Sequence, residues 1–283
     1  MAELPELTIL VSQMHGVMAG ATIAKVEAPQ PKCLNVASGA LTAGLMGQAI
    51  EGVRSIGKWI ALDLADGSHL LLNLGMGADV RHFGAESERP AKYQFSLTSH
   101  RGDGFTVRFW WFGYIHLVPR HLLSRHPQVK DIAPLALDPV VTLDWFGAML
   151  REAGGRAIKQ VLMDQRRISG IGNAYMHDIL WAGQVHPATK ACDLTPERIA
   201  LLYEAMRRVL RNATSLGGWE RDFYGRGGNI ATPDRLTTIG YRAGKLCPRC
   251  GSVIEKIRTG GTATFICPGC QVLGLPTGTA PRA

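Results

Sequence analysis

Cysteine is scarce in this chain: six residues among 283, with four of the six inside one short C-terminal stretch. Cys33 and Cys192 stand apart from that group. Nothing near them signals secretion, so they read as small buried residues or reduced thiols rather than a disulfide. A cationic leader is also missing, because Glu3 and Glu6 occupy the positions where a signal peptide carries positive charge. No long apolar run exists; the uncharged stretch from Phe109 to Val118 is too short to span a bilayer. The expectation is a soluble intracellular protein with no membrane partner. The nine histidines show neither H-E-x-x-H nor triad spacing, which removes the common metalloprotease and serine-hydrolase patterns. There is no internal repeat. Acidic residues are the minority, 23 against 31 lysines and arginines, for a net charge of +8 and a pI near 9.4. That excess suits a polyanionic partner such as nucleic acid.

Among the features present, Cys247-Pro-Arg-Cys250 and Cys267-Pro-Gly-Cys270 carry the strongest signal. Two C-x-x-C pairs separated by sixteen residues have the spacing of a tetrahedral four-cysteine Zn2+ site. Four protein ligands leave no open position, so one structural ion is expected, fixing a small β module that has too little apolar surface to fold alone.

Leu7, Leu10, Val11, Met14, Val17 and Met18 fall at helical spacing, with Pro5 and Glu6 suited to a helix start. Strand-like runs follow at Thr22–Glu27, Trp59–Leu64, His69–Leu74, Tyr93–Leu97 and Phe105–Phe112, separated by turn-forming residues. This predicts a sandwich or barrel entered by one long helix. Residues 128–140 read as a linker. Helical segments are predicted at about 142–152, 155–164, 173–182 and 195–214, the last capped by Thr195 with Pro196 behind it. A Gly/Arg-rich loop, with Arg221, Tyr224 and Arg226, fills 219–235. The expected fold is α+β and multi-domain: a β-sandwich domain over 1–127, a helical domain over 128–235, a four-cysteine zinc finger over 236–272, and a disordered tail over 273–283.

Between two predicted helices lies Leu162-Met163-Asp164-Gln165-Arg166-Arg167-Ile168-Ser169-Gly170-Ile171-Gly172-Asn173-Ala174-Tyr175. Glycines there let the backbone approach a ligand, and Asn173 is placed as the N-cap of the second helix, whose start can receive a phosphate. A plain helix hairpin with a glycine turn explains the same residues, and Arg166-Arg167 can equally be a solvated face.

Taken in order, Glu3-Leu4-Pro5-Glu6, Gly57-Lys58, Leu74-Gly75-Met76, Phe112-Gly113, the Gly170-Ile171-Gly172-Asn173 block and the cysteine finger make the chain resemble the formamidopyrimidine-DNA glycosylase and endonuclease VIII family. The resemblance covers nearly the whole chain. It implies a β-sandwich, a helix-two-turn-helix domain and a zinc finger, with damaged DNA bound between the lobes by a monomer in the cytoplasm, at the nucleoid if the source is bacterial. It implies base-excision repair: the N-terminal amine attacks the sugar of a flipped nucleotide, expels the damaged base and leaves a Schiff base from which the strand is cleaved. Glu3 is then the general acid/base, Glu6 a supporting carboxylate, and Lys58 a phosphate contact that assists the chemistry.

The chain departs from the family pattern at several of these positions. Ala2 stands where bacterial members have proline, so a primary amine replaces a secondary one. Base removal followed by a weaker lyase step is expected. Met76 and Phe112 match side chains that fill the gap left by the flipped base, though both suit ordinary core packing. The family's Asp-Pro-Arg-Arg-Phe-Gly is here Arg108-Phe109-Trp110-Trp111-Phe112-Gly113. Two tryptophans therefore replace arginines that meet the opposite base and a phosphate. They are either surfaces for stacking on bases or buried structure. Asn73 replaces a histidine. In the finger, Thr262 takes the place of a phosphate-binding arginine, with Arg258 one short loop away as its substitute. The rival reading is a non-catalytic damaged-DNA binding protein on the same scaffold; Glu3 and Lys58 speak against it.

Overall fold

Leu4-Pro5-Glu6 starts a helix because proline tolerates the first turn and the Glu6 carboxylate accepts the backbone N–H of Glu3 at 2.9 Å. This helix, α1 (Leu4–Met18), holds Pro5 and Glu6 in its first turn, as the sequence predicts. Leu7, Leu10, Met14 and Met18 form its buried face at the three- and four-residue spacing of an amphipathic helix. The computed structural model describes residues 2–218 and 236–274. The chain divides into two units, one running to Asp131 and the next starting at Ile132.

In the first unit, α1 is followed by β1 (Ile23–Glu27), α2 (Ser38–Leu45), β2 (Ile50–Ile56), β3 (Trp59–Leu64), β4 (His69–Asn73), β5 (Asp79–Phe83), β6 (Phe95–Ser99), β7 (Gly104–Arg108) and β8 (Tyr114–Val118). Two four-stranded antiparallel sheets result, ordered β1-β6-β7-β5 and β2-β3-β4-β8. Ile60, Leu62, Leu64, Leu70 and Leu72 of one sheet share a core with Val80, Phe95, Leu97, Phe105 and Val107 of the other, and the apolar face of α1 joins it. Each such side chain contributes roughly 1.5–3 kcal/mol by leaving water. The predicted sandwich is therefore present, with a short second helix added.

The register of the second sheet positions the site. Ile56 pairs with Trp59, Trp59 with Asn73, and Asn73 with Tyr114. The turn Gly57-Lys58, the loop leaving Asn73 and the loop entering Tyr114 consequently emerge at one end of that sheet.

The second unit holds α3 (Leu143–Ala153), α4 (Ile158–Met163), α5 (Asn173–Ala182), α6 (Pro196–Ser215) and the hairpin β9 (Glu255–Thr259)–β10 (Thr262–Ile266). Thr195 caps α6 as the sequence predicts, accepting the N–H of Arg198. The stretch read as a linker, residues 128–140, contains the division between the units, and its second part is fastened to the turn between α4 and α5. Ala133 N–H donates to the Gln165 carbonyl at 2.9 Å and Ala136 N–H to that of Ser169 at 3.0 Å. The Gly/Arg loop at 219–235 and residues 275–283 of the expected tail lie outside the described residues. Cys33 is buried and Cys192 exposed, both as free thiols.

Candidate functional site

The N-terminal end of α1 buries two carboxylates, Glu3 and Glu6, at 3% and 5% exposure. Buried carboxylates require partners. One partner for Glu6 is the Glu3 N–H described above; the other charge in range is Lys58. Burial pushes the Lys58 ammonium below its ordinary value of 10.5, while the negative charges of Glu3 and Glu6 pull it back up. Gly57 supplies the positive φ of 55° that turns β2 into β3 and brings Lys58 there. Ala2 is half-buried and packs on the same core. Glu3, Lys58 and the residue that would carry the amine are thus gathered at one place.

At the same end of the sheet, two loops cross. Met76 and Trp111 form an antiparallel bridge, Met76 N–H donating to the Trp111 carbonyl at 2.8 Å and Trp110 N–H to the Met76 carbonyl at 3.0 Å. Asn73 closes the first loop by accepting the Gly75 N–H on Oδ1 at 3.0 Å. Gly75 has φ 52°, and a Cβ there would stand 2.1 Å from the Trp111 carbonyl oxygen. Only glycine fits this crossing. Phe112, at φ 56°, adopts the left-handed region without that excuse, at a cost of about 1–3 kcal/mol. The result is an apex of large apolar side chains in solvent: Met76 at 45% exposure, Trp110 at 67%, Trp111 at 63% and Phe112 at 68%. Core packing is therefore excluded for Met76 and Phe112, and buried structure for the two tryptophans. The Arg108 guanidinium lies over the Trp110 ring, 5.6 Å from its centre.

In the second unit, Asn173 is not the N-cap of α5, as the sequence led us to expect. Gly172 is, with φ −134° and ψ −158°, and Asn173 is the first residue of the helix. Its side chain is occupied elsewhere. Nδ2 donates to the Ala263 carbonyl at 3.3 Å, and Oδ1 accepts from the Thr262 hydroxyl at 3.3 Å. Thr262 thus faces the same turn at which the sequence expected a cation. Arg258 is exposed on β9 and pairs in register with Ala263.

Sequence reasoning missed Lys159 as a functional candidate. It is buried at 2% exposure, and its ammonium donates to Thr262 Oγ1 at 2.7 Å, Thr264 Oγ1 at 2.6 Å and the Thr259 carbonyl at 3.2 Å. Burial holds its pKa below the ordinary lysine value. Beside it, burial and then the Lys159 charge hold His177 down to about 4, so that ring is neutral near pH 7. Its Nδ1 accepts the Phe265 N–H at 3.3 Å. Asp178, also on α5, accepts the N–H groups of Thr238, Ile239 and Gly240 on one oxygen at 3.0, 2.7 and 3.2 Å. Their partners lie some sixty to a hundred positions further along the chain, which is why local pattern did not reveal them.

The sulfur atoms of Cys247, Cys250, Cys267 and Cys270 lie within 4.8 Å of one another, with pairs at 3.8, 3.3 and 3.5 Å. A tetrahedral ion with Zn–S bonds of about 2.3 Å needs an S–S edge of about 3.8 Å. The donor set and its size fit Zn2+. Hydrogen bonds from Ser252 hold the Cys250 thiol down to about 6, while burial pushes Cys267 up to about 11 and Cys270 up as well; four sulfurs this close can ionise together only around a cation.

Known families match along the same divisions. Residues 1–110 match the formamidopyrimidine-DNA glycosylase N-terminal domain, 132–223 the formamidopyrimidine-DNA glycosylase H2TH domain, and 244–272 the zinc finger found in FPG and IleRS. The formamidopyrimidine-DNA glycosylase of Chloroflexus aurantiacus is 33% identical over 280 residues, spanning 96% of this chain and 98% of that one. That of an Acidovorax species is 32% identical over 279 residues, spanning 96% and 99%. Among solved structures, Lactococcus lactis formamidopyrimidine-DNA glycosylase non-covalently bound to DNA containing an AP site superposes with a TM-score of 0.86 at 25% identity, covering 96% of this chain and 100% of that one. MutM in complex with DNA containing carbocyclic 8-oxo-G gives 0.86 at 26%, covering 95% and 99%. With relatives about a third identical and aligned over nearly its full length, this chain belongs to the formamidopyrimidine-DNA glycosylase family.

Proposed function

We propose that the protein is a DNA N-glycosylase of base-excision repair, removing a damaged base from a nucleotide flipped out of DNA and then opening the strand in a weaker lyase step. A base inside a duplex is out of reach, so the nucleotide must leave the stack first. The nucleophile is the α-amino nitrogen of Ala2 once Met1 is removed. Such an amine ordinarily titrates at about 7.7–8.0, which leaves a reactive neutral fraction at pH 7. It attacks the sugar C1′ as the base departs, and the resulting imine draws electrons for elimination of the 3′ phosphate. Glu3 protonates the deoxyribose ring oxygen and carries protons thereafter. Glu6 orients the Glu3 backbone. The Lys58 ammonium contacts phosphate and lowers the pKa of the neighbouring amine.

The observation that carries this reading is the burial of Glu3 and Glu6 with Lys58 in electrostatic range, beside Ala2. Taking two carboxylates and an ammonium out of water costs free energy that apolar side chains would spare, and a purely binding protein gains nothing from them there. Met76 and Phe112 enter the gap left by the flipped base. With the Asn173 side chain taken up by the hairpin, its backbone at the start of α5, together with Arg258, meets backbone phosphates. Cys247, Cys250, Cys267 and Cys270 hold one Zn2+, which stabilises the finger. No described helix is long and apolar enough to cross a membrane. The protein works as a monomer on damaged DNA in the cytoplasm.

A panel of oligonucleotides bearing oxidised purines, oxidised pyrimidines, bulky adducts and abasic sites, with wild type beside Glu3→Gln, tests the reading. Loss of general acid/base catalysis lowers excision by about 100- to 10,000-fold. Equal product from both proteins would remove Glu3 from the mechanism. Borohydride should trap a covalent complex on abasic DNA; none, with Met1 shown to be absent, rules out the amine. Damage-selective binding with no product at all would make the chain a non-catalytic damage-binding protein instead.

A further inference from the structure

We propose that Trp110 and Trp111, with Met76 and Phe112, form a stacking platform for unpaired bases, so that the protein acts on damage in single-stranded DNA and is indifferent to the base opposite the lesion. The proposal rests on the glycosylase reading and adds its substrate class. The apex is built rather than loose. The Met76–Trp111 bridge, the Asn73 turn and the glycine at position 75 fix the two loops against each other, so the backbone that carries the exposed rings is held in place.

Neither loop carries a charge: Leu74-Gly75-Met76-Gly77-Ala78 faces Phe109-Trp110-Trp111-Phe112-Gly113, with Arg108 at the margin over Trp110. An indole has one N–H and two π faces. It lacks the planar fork by which a guanidinium reads a base edge with two hydrogen bonds. It stacks on any of the four bases, because every base has a π face. The platform shares its sheet end with Lys58, on a chain of net charge +8, which matches the phosphate that accompanies each base. Tyr114, partly exposed and stacked on Trp59 at 6.3 Å, extends the aromatic surface toward the Lys58 turn. In a duplex this apex must first separate a base pair. A single strand offers its bases without that cost, and no partner base remains to be read.

The test has two arms on the full-length protein. In the first, an unmodified oligo(dT) 15-mer is titrated while indole fluorescence is followed, a readout independent of catalysis. Quenching with saturable binding is expected. Trp110→Ala and Trp111→Ala should each weaken binding roughly 5- to 150-fold, the equivalent of about 1–3 kcal/mol per stacked base. Trp110→Phe and Trp111→Phe should retain most of it. In the second arm, one abasic site is presented in a single strand and opposite each of the four bases in duplex. Wild type should cleave the single strand at least as fast as the duplexes, with less than about threefold spread among the four. Trp110→Arg/Trp111→Arg should shift preference toward duplex and widen that spread. Absence of quenching, or alanine variants that bind oligo(dT) like wild type, overturns the platform. So does duplex cleavage more than tenfold faster than single-strand cleavage. Strand binding with no cleavage of any abasic substrate sinks the lyase step alone; the same strands bearing the lesions of the panel then decide, and strand binding with no base released from any of them sinks the glycosylase reading on which the proposal rests.

Discussion

The apex of the first unit exposes four large apolar side chains to water, while the junction of helix and finger in the second unit buries an ammonium among threonines. Both invert the usual rule of burial, and they hold the inversion by different means. At the apex the constraint is in the backbone: positive φ at Gly75 and Phe112, and a bridge between two loops. At the junction it is in side chains: Lys159 satisfied by three oxygens, Asn173 by two groups of the hairpin, Asp178 by three amides. Backbone constraint keeps a surface ready for something outside the molecule. Side-chain satisfaction joins parts of the molecule to each other. Changes at the junction should therefore cost stability, and changes at the apex should cost function while sparing or improving stability.

The largest effect should follow metal withdrawal. The finger core consists of Ile239, Cys247, Ile254, Phe265 and Cys267 with little else, and apparent zinc binding in such modules is worth roughly 10–16 kcal/mol. Chelation, or Cys267→Ser, should unfold the hairpin and abolish DNA binding, as read by zinc content and gel shift. Next in size is Lys159→Met. It leaves the oxygens of Thr259, Thr262 and Thr264 without their donor, and about 2–4 kcal/mol should be lost in urea unfolding, with DNA affinity falling as the hairpin loosens.

Asp178→Asn sharpens the comparison through pH. Burial raises the Asp178 carboxyl from 3.8 to about 6. The folded state thus binds its proton more tightly than the unfolded state. Its contribution is fully present below about pH 4 and is lost as pH rises through about 6. Asparagine keeps the accepting oxygen and stays neutral. The variant should match wild type near pH 4 and exceed it by about 2–3 kcal/mol above pH 7. Equal pH profiles would show that the three amides hold an ionised carboxylate. The smallest effect belongs to Phe112→Gly. Relief of the left-handed φ, worth about 1–3 kcal/mol, is partly offset by glycine's greater chain entropy of about 0.5–1 kcal/mol, for a net gain of about 0.5–2 kcal/mol. If Phe112 enters the gap left by the flipped base as proposed, excision falls nevertheless.

Much of this was legible in the chain. The cysteine spacing and the α5 and α6 helices depend on local pattern. Trp59–Leu64 was read with its true bounds because it is a buried run flanked by turns. By contrast, β2 was missed because a register shift between Ile50 and Gly52 breaks its alternation. The helix α2, Ser-Gly-Ala-Leu-Thr-Ala-Gly-Leu, carries two glycines that weaken its signal. The strand β8 was hidden within the long uncharged run from Phe109 to Val118. At the site, composition could not say whether Met76, Phe112 and the tryptophans face inward, since an apolar side chain looks the same either way until the loops are placed. Asn173 was assigned to a cap because capping is its usual local role; the hairpin that claims its amide lies ninety positions away.

Lys159 also carries a consequence for biosynthesis. All three of its oxygen acceptors come from β9 and β10, which follow it by a hundred residues or more. While the ribosome is still making that segment, the finished helices hold a cation with nowhere dry to go. The helical half can thus reach its final packing only after the carboxyl-terminal cysteines have emerged and captured their ion. A cell short of zinc during synthesis would accumulate molecules arrested at this late step, whereas those already assembled would be slower to suffer.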